Sequence, residues 1–319
     1  RQRQMCIRDS PNADDSWELK DPNSDEVKST ISAKWLWELI LETRMRTGEP
    51  YLHFIDTSNK HLPDFQKNLG LKVKQSNICT EITLPTDNER TAVCCLSSLN
   101  LEYWDQWKDN YQFYKDVAEM LDNVLQLFIE NAPPSVHRAV YSAMRERAIG
   151  IGALGFHSLL QSKNIPFESA LAISLNNQIF SRYKKYLDLA NKELAEERGE
   201  CPDGIGSGKR FSHVTAIAPN ASTSIIMGNT SPSVEPYRAN AYRQDTLGGS
   251  YLNKNKHLDK IIKQKCEENP HLKYDEIWSS IVTHAGSIQH LDLFDEQTKA
   301  AFKTATEIDQ RWIVELAAD

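Results

Sequence analysis

The segment SNICTEITLP, residues 76–85, places three side chains of different chemistry at alternate positions. Successive side chains of an extended chain point to opposite sides, so Asn77, Cys79 and Glu81 would share one side. An amide and a carboxylate can hydrogen-bond two hydroxyls of a sugar-sized ligand, and a thiol between them can carry out hydrogen-atom or redox chemistry. The same spacing suits a plain strand with a buried cysteine. The spacing alone leaves both interpretations open.

A second candidate site follows the apolar stretch 214–218, which predicts a strand that Pro219 ends. Small and polar residues then lead into an apolar run, as at a strand–helix junction; they are Asn220, Ala221, Ser222, Thr223 and Ser224. Free backbone N–H groups and the dipole at a helix start favour anions. Serine and threonine are also ordinary helix N-caps, so the residue types alone do not decide. The stretch lacks the pattern G-x-x-x-x-G-K-[ST], which excludes an ATPase-type loop.

The elements that must position these residues are helices separated by short strands, a pattern that predicts an α/β fold. Hydrophobic periodicity predicts helices over 33–46, 116–129, 147–160, 171–197, 274–284 and 296–318. Short strands or extended segments are expected at 51–55, 73–84 and 214–218. The glycines of GIGALG, residues 150–155, follow a charged, helix-like stretch. They therefore indicate close packing at a helix start and not a dinucleotide-binding loop.

Composition narrows the class of protein. The chain has 319 residues, a net charge of −7 and a pI near 5.8, which argues against a nucleic-acid binder that relies on phosphate contacts. No apolar run is long enough for a membrane span. Six cysteines are too few for a disulfide scaffold, and without a secretory signal they indicate a reducing, cytoplasmic compartment. No C-x-x-C pair is present, so we expect no metal site.

The residues of the first candidate site carry a resemblance to a known family. SNICTEITLP resembles the finger-loop motif of the large, catalytic subunit of class I ribonucleotide reductases. AVCCLSSLNL, residues 92–101, resembles the next cysteine motif of that family. Further matches follow in the same order along the chain: RAIGIG at 147–152, PNASTS at 219–224, SVEPY at 233–237, GSIQ at 286–289 and the helix pattern at 308–319.

The resemblance implies a ten-stranded α/β barrel with the finger loop carried through its centre, incomplete at both ends in this chain. Cys79 would become a transient thiyl radical that abstracts the ribose 3′ hydrogen. Glu81 would act as general base on the 3′ hydroxyl, and Asn77 would hold the ribose hydroxyls and the departing water. Cys94 matches the second redox cysteine of the family, whose disulfide partner lies upstream of the region covered here.

The resemblance also assigns the loop 220–224 to the substrate diphosphate, although Asn220 stands where the family pattern leads us to expect serine or threonine. An amide can still donate a hydrogen bond, so the departure is mild. Cys95 falls at a variable position and is interpreted as a buried neighbour of Cys94. Cys201 and Cys266 match no motif and are interpreted as structural.

The implied function of the parent protein is reduction of ribonucleoside diphosphates to 2′-deoxyribonucleotides, with a disulfide of the thioredoxin or glutaredoxin type as acceptor. No cofactor would be bound directly. A small subunit with a diiron or dimanganese centre would supply the radical, a cobalamin-dependent relative being the alternative, and the large subunits would form a homodimer. The family's allosteric, ATP-binding sites lie mostly upstream. The rival readings are a non-catalytic nucleotide-binding module of the same fold, and a thiol–disulfide or metal enzyme, which the cysteine spacing disfavours.

Three segments are expected along the chain. Residues 1–10 show neither a hydrophobic period nor a helix cap, so we expect a non-native segment there. Residues 11–32 form a polar lead-in, and residues 33–319 a fragment of the catalytic α/β barrel. The helical pattern at the end of the chain has no stop signal. We therefore expect the parent protein to continue beyond it, and this fragment by itself to be inactive.

Overall fold

The structure, a computed structural model, describes residues 15–318, apart from the side chain of Thr246. The chain divides into two compact units, with the boundary between Thr91 and Ala92. The expected non-native segment 1–10, which includes Cys6, lies outside the described residues.

The first unit begins with an antiparallel hairpin and continues with short helices. Strands β1 (Ser16–Lys20) and β2 (Val27–Ser32) pair in the hairpin. Helix α1 (Ala33–Thr47) follows directly, because the hydroxyl of Ser32 accepts the backbone N–H of Trp35 and caps the first turn. The helix predicted over 33–46 is therefore confirmed, including its end at the left-handed Gly48.

Two further helices follow α1 in this unit: α2 (Ile55–Lys60) and α3 (Asp64–Asn68). The strand predicted at 51–55 is wrong, since residues 51–54 are irregular and α2 begins at Ile55. Five apolar-rich residues are too short a run to identify a strand unless a neighbouring segment supplies ladder hydrogen bonds. Among the residues described, no strand pairs with this segment.

The second unit contains most of the secondary structure. Its strands are β3 (Leu96–Asn100), β4 (Gly150–Leu154), β5 (Ala241–Thr246) and β6 (Gly249–Lys254). Its helices are α4 (Trp104–Trp107), α5 (Tyr111–Asn131), α6 (His137–Glu146), α7 (Phe156–Ser162), α8 (Ala170–Arg198), α9 (Ala221–Ile226), α10 (Lys256–Glu268), α11 (Tyr274–Thr283), α12 (Glu296–Ala301) and α13 (Gln310–Ala318). Single 3-10 turns lie at Leu101–Tyr103, Pro134–Val136 and Pro202–Gly204.

Three neighbouring extended segments form the centre of this unit. Strands β3 and β4 pair in parallel, with Leu96 opposite Gly150. On the other edge of β4, the backbone N–H of Ile151 donates to the carbonyl of Val214 at 2.9 Å, so the segment 213–218 lies beside β4. The strand predicted at 214–218 is not found, since residues 213–220 are irregular, although the segment does lie beside β4.

The helix predicted over 147–160 is wrong in its first half, because residues 150–154 are strand β4 and helix α7 begins only at Phe156. All five residues of β4 are buried. A strand that is buried on both faces shows no polar alternation, so periodicity cannot tell it from a buried helix. The predictions for 116–129, 171–197 and 274–284 are confirmed as α5, α8 and α11, with ends shifted by a few residues.

The helix predicted over 296–318 is interrupted. Residues 302–309 separate α12 from α13. The carboxylate of Glu307 accepts the backbone N–H of Thr304 at 2.7 Å, and that of Glu168 accepts the backbone N–H of Asp309 at 2.7 Å. These side chains satisfy backbone groups that a continuous helix would have paired internally.

Aromatic rings join the long helices over the central strands. Tyr114 of α5 and Tyr183 of α8 meet edge to face with their ring centroids 5.6 Å apart, and Trp107 packs against both. A separate apolar cluster involves α10, α11 and α12 and includes Leu258 and Trp278. The two long helices thus fix the frame on which the central strands lie.

The α/β class is confirmed for this chain. The strands of the described residues form three two-stranded pairings, β1–β2, β3–β4 and β5–β6, and no closed barrel is found among them. None of the helices in residues 15–318 is both long and apolar enough to cross a bilayer.

One buried carboxylate gathers three arginines beneath helix α5. Asp122 accepts from Arg147 at 2.6 Å, from Arg198 at 3.1 Å and from Arg210 at 3.2 Å. Burial alone would raise the pKa of Asp122, but the hydrogen bonds and charges of Arg147 and Arg210 outweigh it and hold the pKa below its ordinary value. The ionised form is thereby favoured in the folded chain, and its contribution to stability is lost as the pH falls through the lowered pKa.

We expect Asp122→Ala to lower the free energy of unfolding by about 3–5 kcal/mol, because it leaves buried arginines without their counter-charge. Urea unfolding of the chain measures the loss. Asp109→Ala is the matched control, since Asp109 pairs with Arg182 but its side chain is 71% exposed, and such pairs contribute less than about 1 kcal/mol. Equal losses in the two variants would contradict the role given to Asp122.

Candidate active site

The segment that carries the thiol, amide and carboxylate is a tight turn and not the extended strand predicted over 73–84. The backbone N–H of Thr80 donates to the carbonyl of Asn77 at 3.1 Å and closes the turn. Thr80 has a φ of 66°, a left-handed conformation that breaks the alternation of an extended chain. Alternation along an extended chain therefore does not position the three side chains.

The turn nevertheless brings two of the three side chains into contact. The amide nitrogen of Asn77 donates to a carboxylate oxygen of Glu81 at 2.7 Å. The amide oxygen of Asn77 accepts the backbone N–H of Ile82 at 3.0 Å, and the hydroxyl of Ser76 donates to the carbonyl of Ile82 at 2.6 Å. Asn77 thus joins the two limbs of the turn and holds the carboxylate at its base.

Cys79 lies at the tip of this turn as an exposed free thiol. Its neighbour Ile78 is also at the surface, with 88% of its area exposed. The turn therefore presents a thiol beyond a hydrogen-bonded amide and carboxylate. This arrangement can offer sulfur to a ligand at the tip while the polar pair contacts hydroxyl groups.

Both limbs of the turn are anchored within the first unit. The side-chain amide of Asn59 accepts the backbone N–H of Val73 at 2.9 Å and donates to the carbonyl of Val73 at 2.8 Å. Ile82 and Leu84 are buried on the other limb. The sequence analysis did not identify Asn59. Its side chain bonds the backbone of a residue 14 positions away, and such a contact leaves no periodic pattern in the sequence.

The adjacent cysteines in the second unit have opposite environments. Cys94, two residues before β3, is exposed, whereas Cys95 is buried and its thiol donates to the carbonyl of Leu121 at 3.6 Å. Burial raises the pKa of Cys95, and the neighbouring Cys94 and Asp122 raise it further. Of the two sulfurs, Cys94 is therefore the one open to thiol chemistry.

The remaining described cysteines fit the structural interpretation. Cys201 is fully buried, and burial raises the pKa of its thiol to about 11. A thiol with so high a pKa stays protonated and unreactive at neutral pH. Cys266 is partly buried against the apolar cluster of α10 and α11.

The loop expected to bind phosphate lies where the three extended segments of the second unit end. Asn220 adopts a left-handed conformation, and helix α9 begins directly after it. Ala221, Ser222 and Thr223 are exposed, but Ser224 is buried and its hydroxyl donates to the carbonyl of Ala221 at 2.9 Å. The structure thus leaves the hydroxyls of Ser222 and Thr223 open to a ligand and uses that of Ser224 within the helix.

Two glycines of β4 allow the segment that leads to this loop to approach closely. A Cβ on Gly152 would lie 2.3 Å from the backbone oxygen of Ala216, and one on Gly150 would lie 2.7 Å from the Cβ of Ala216. The expectation that these glycines permit close packing is confirmed, but the packing is between strand β4 and the irregular segment 213–218 and not at a helix start. Any larger residue would push the segment 213–218 away from β4.

Comparison with known proteins identifies the family. A family profile described as the barrel domain of ribonucleotide reductase matches residues 12–204 and 203–319. The chain belongs to the ribonucleotide reductase large-subunit family.

Several relatives in this family show the extent of the match. The ribonucleoside-diphosphate reductase large subunit of Invertebrate iridescent virus 3 is 58% identical over 303 residues, 95% of this chain and 48% of the relative. That of Caenorhabditis elegans is 31% identical over 356 residues, 99% of this chain and 44% of the relative. A solved structure, the Actinobacillus ureae class Id ribonucleotide reductase alpha subunit, is 41% identical with a TM-score of 0.81, and the match covers 89% of this chain and 52% of that chain. The chain spans about half the length of these relatives.

We expect Gly150→Ala and Gly152→Ala each to lower the free energy of unfolding by about 1–3 kcal/mol through overpacking. The second substitution Ala216→Gly should recover part of the loss in Gly150→Ala, because it removes one of the two side-chain atoms that the new methyl meets. The other, Cδ2 of Leu96 at 2.4 Å, remains. Ala216→Gly should recover nothing in Gly152→Ala, where the obstacle is a backbone oxygen. Urea unfolding of the single and double variants tests this difference, and equal recovery in both would contradict the packing described.

Proposed function

We propose that the parent protein of this chain reduces ribonucleoside diphosphates to 2′-deoxyribonucleotides by thiyl-radical chemistry, for DNA precursor synthesis. The observation that carries the proposal is the turn 77–81, with the Cys79 thiol at its tip and Asn77 bound to Glu81 at its base, in a chain of this family. Matching relatives named ribonucleoside-diphosphate reductase large subunit support the same substrate class.

The proposed roles follow the chemistry of the three side chains. Cys79, as a thiyl radical, takes the 3′ hydrogen of the ribose, so that an S–H bond forms as the C–H bond breaks, and the hydrogen returns at the end of the cycle. Glu81 accepts the proton of the 3′ hydroxyl. The amide of Asn77 positions Glu81, as their 2.7 Å hydrogen bond indicates, and contacts the ribose hydroxyls and the departing water.

The net reaction requires two electrons from a pair of thiols. We assign one thiol to Cys94, which is exposed, and the other to a cysteine of the parent protein upstream of this chain. Their oxidation to a disulfide replaces the 2′ hydroxyl by hydrogen and releases one water molecule. A thioredoxin or glutaredoxin then reduces the disulfide for the next cycle.

We assign the substrate diphosphate to the loop 220–224. The exposed hydroxyls of Ser222 and Thr223 and the small side chain of Ala221 support this assignment, since they let an anion approach the backbone N–H groups at the start of α9. Ser224 contributes by shaping the turn, because its backbone N–H donates to the carbonyl of Asn220 at 2.9 Å and its hydroxyl donates to the carbonyl of Ala221.

The partners complete the proposal. A separate small subunit with a diiron or dimanganese centre supplies the radical, and cobalamin is the less favoured source. The large subunits pair as a homodimer in the cytoplasm. In the parent chain we expect the strands described here to form part of a ten-stranded barrel around the finger loop.

We expect Cys79→Ser in the full-length parent protein to reduce turnover by about 10⁴-fold or more, because an oxygen at this position cannot replace the radical-bearing sulfur. Glu81→Gln should reduce it by about 10²–10⁴-fold, the usual contribution of a general base. Deoxynucleotide formation from a ribonucleoside diphosphate is the measurement. Cys266→Ser, which changes a cysteine outside every family motif, should retain activity. Full activity in Cys79→Ser would refute the assignment.

Cys94→Ser tests the redox role separately. We expect the variant to lose repeated turnover with a dithiol protein as reductant, because the substrate-reducing disulfide can no longer form. Deoxynucleotide formed per mole of enzyme is measured over many turnovers, again with Cys266→Ser as control. Unchanged repeated turnover would reject the role of Cys94 and leave that of Cys79 intact.

A further inference from the structure

The side chain of Asn220 contacts all three extended segments of the second unit. Its amide nitrogen donates to the hydroxyl of Ser98 in β3 at 3.0 Å and to the carbonyl of Ala153 in β4 at 3.2 Å. It also donates to the carbonyl of Ala218, at the end of the third segment, at 2.8 Å. A single side chain thus joins these segments at the point where the candidate phosphate loop begins.

We propose that Asn220 is a positioning residue that locks the loop 220–224 to the strand ends, and that it is not a ligand of the substrate diphosphate. This inference rests on the function proposed above. It replaces the sequence-based expectation that the amide of Asn220 donates to phosphate.

The count of donors carries the inference. A side-chain amide has two N–H groups, and three acceptors within 3.2 Å already surround this one. No N–H remains for a phosphate oxygen. The ligands for a diphosphate are then the exposed hydroxyls of Ser222 and Thr223 together with backbone N–H groups.

The backbone of Asn220 supports the same role. Its φ of 52° and ψ of 30° lie in the left-handed region, which asparagine tolerates better than most residues other than glycine. Serine or threonine, which the family pattern led us to expect here, has a single hydroxyl donor and a shorter reach. Asparagine therefore serves both the backbone conformation and the connection of three segments, which a hydroxyl residue could not do at once.

The test is a set of variants at this position in the full-length parent protein. Asn220→Gly keeps the left-handed conformation and removes the amide. Asn220→Ser supplies a hydroxyl that could bind phosphate but cannot join three segments. We expect the KM for a ribonucleoside diphosphate to rise about tenfold in both, as for loss of one or two hydrogen bonds, with kcat changed less than about twofold.

A phosphate-free probe separates positioning from general damage. The nucleoside that matches the substrate, used as a competitive inhibitor, should keep its inhibition constant in Asn220→Gly, because only the diphosphate depends on the loop. Ser98→Ala, which removes one acceptor of the amide, should raise the KM by about two- to threefold. When Ser98→Ala is combined with Asn220→Gly, it should not raise the KM further, because the amide that donates to Ser98 is already absent.

Opposite results overturn the inference in distinguishable ways. A KM unchanged from the original chain in Asn220→Ser would show that diphosphate binding does not need a side chain that joins all three segments, and would overturn the positioning role. An unchanged KM in Ser98→Ala would also overturn the connection described. If Ser222→Ala and Thr223→Ala both leave the KM unchanged, the loop is not the diphosphate site, and the phosphate assignment of the proposed function falls together with this inference.

Discussion

The close approach of three extended segments around β4 is the constraint on which the second unit depends. Gly150 and Gly152 leave no side chain between β4 and the segment 213–218, and the backbone of β4 bonds to a neighbour on each edge. The apolar residues of β4 are buried under helices α5, α7 and α8. Because these segments end together, their ends and the side chain of Asn220, which contacts all three, place the loop that follows them.

In the first unit, side-chain amides and not the hydrogen bonds of a β-ladder hold the turn that carries Cys79. Asn59 satisfies both backbone groups of Val73, and Asn77 joins the two limbs of the turn while it holds Glu81. Asparagine is suited to both tasks, because its side chain carries a donor and an acceptor in the same geometry as a peptide group. Asn220 repeats the device in the second unit. In each case an amide fixes irregular backbone close to a group proposed to act on the substrate.

Local signals predicted most of the long helices but not their context. Helix α1 followed from its period and from Gly48, and α5 and α8 from theirs, because these signals lie within the element. Strand β4 was predicted as helix because a segment buried on both faces has no alternation. The sequence predicts extended chain at Asn77–Thr80, where the structure has a turn. The turn depends on the positive φ of Thr80, which the residue type does not reveal. Motif matching located the candidate residues, whereas the contacts among them required the folded chain.

The unlike surroundings of Cys94 and Cys95 have a practical consequence for chemical labelling. A small alkylating reagent meets one sulfur at the protein surface and is kept from the other, which lies under α5 with its hydrogen directed at the carbonyl of Leu121. The two adjacent cysteines can therefore report separately on surface accessibility and on core packing in one labelling experiment. Modification of the first indicates accessible protein, and modification of the second indicates that the packing beneath the helix has opened.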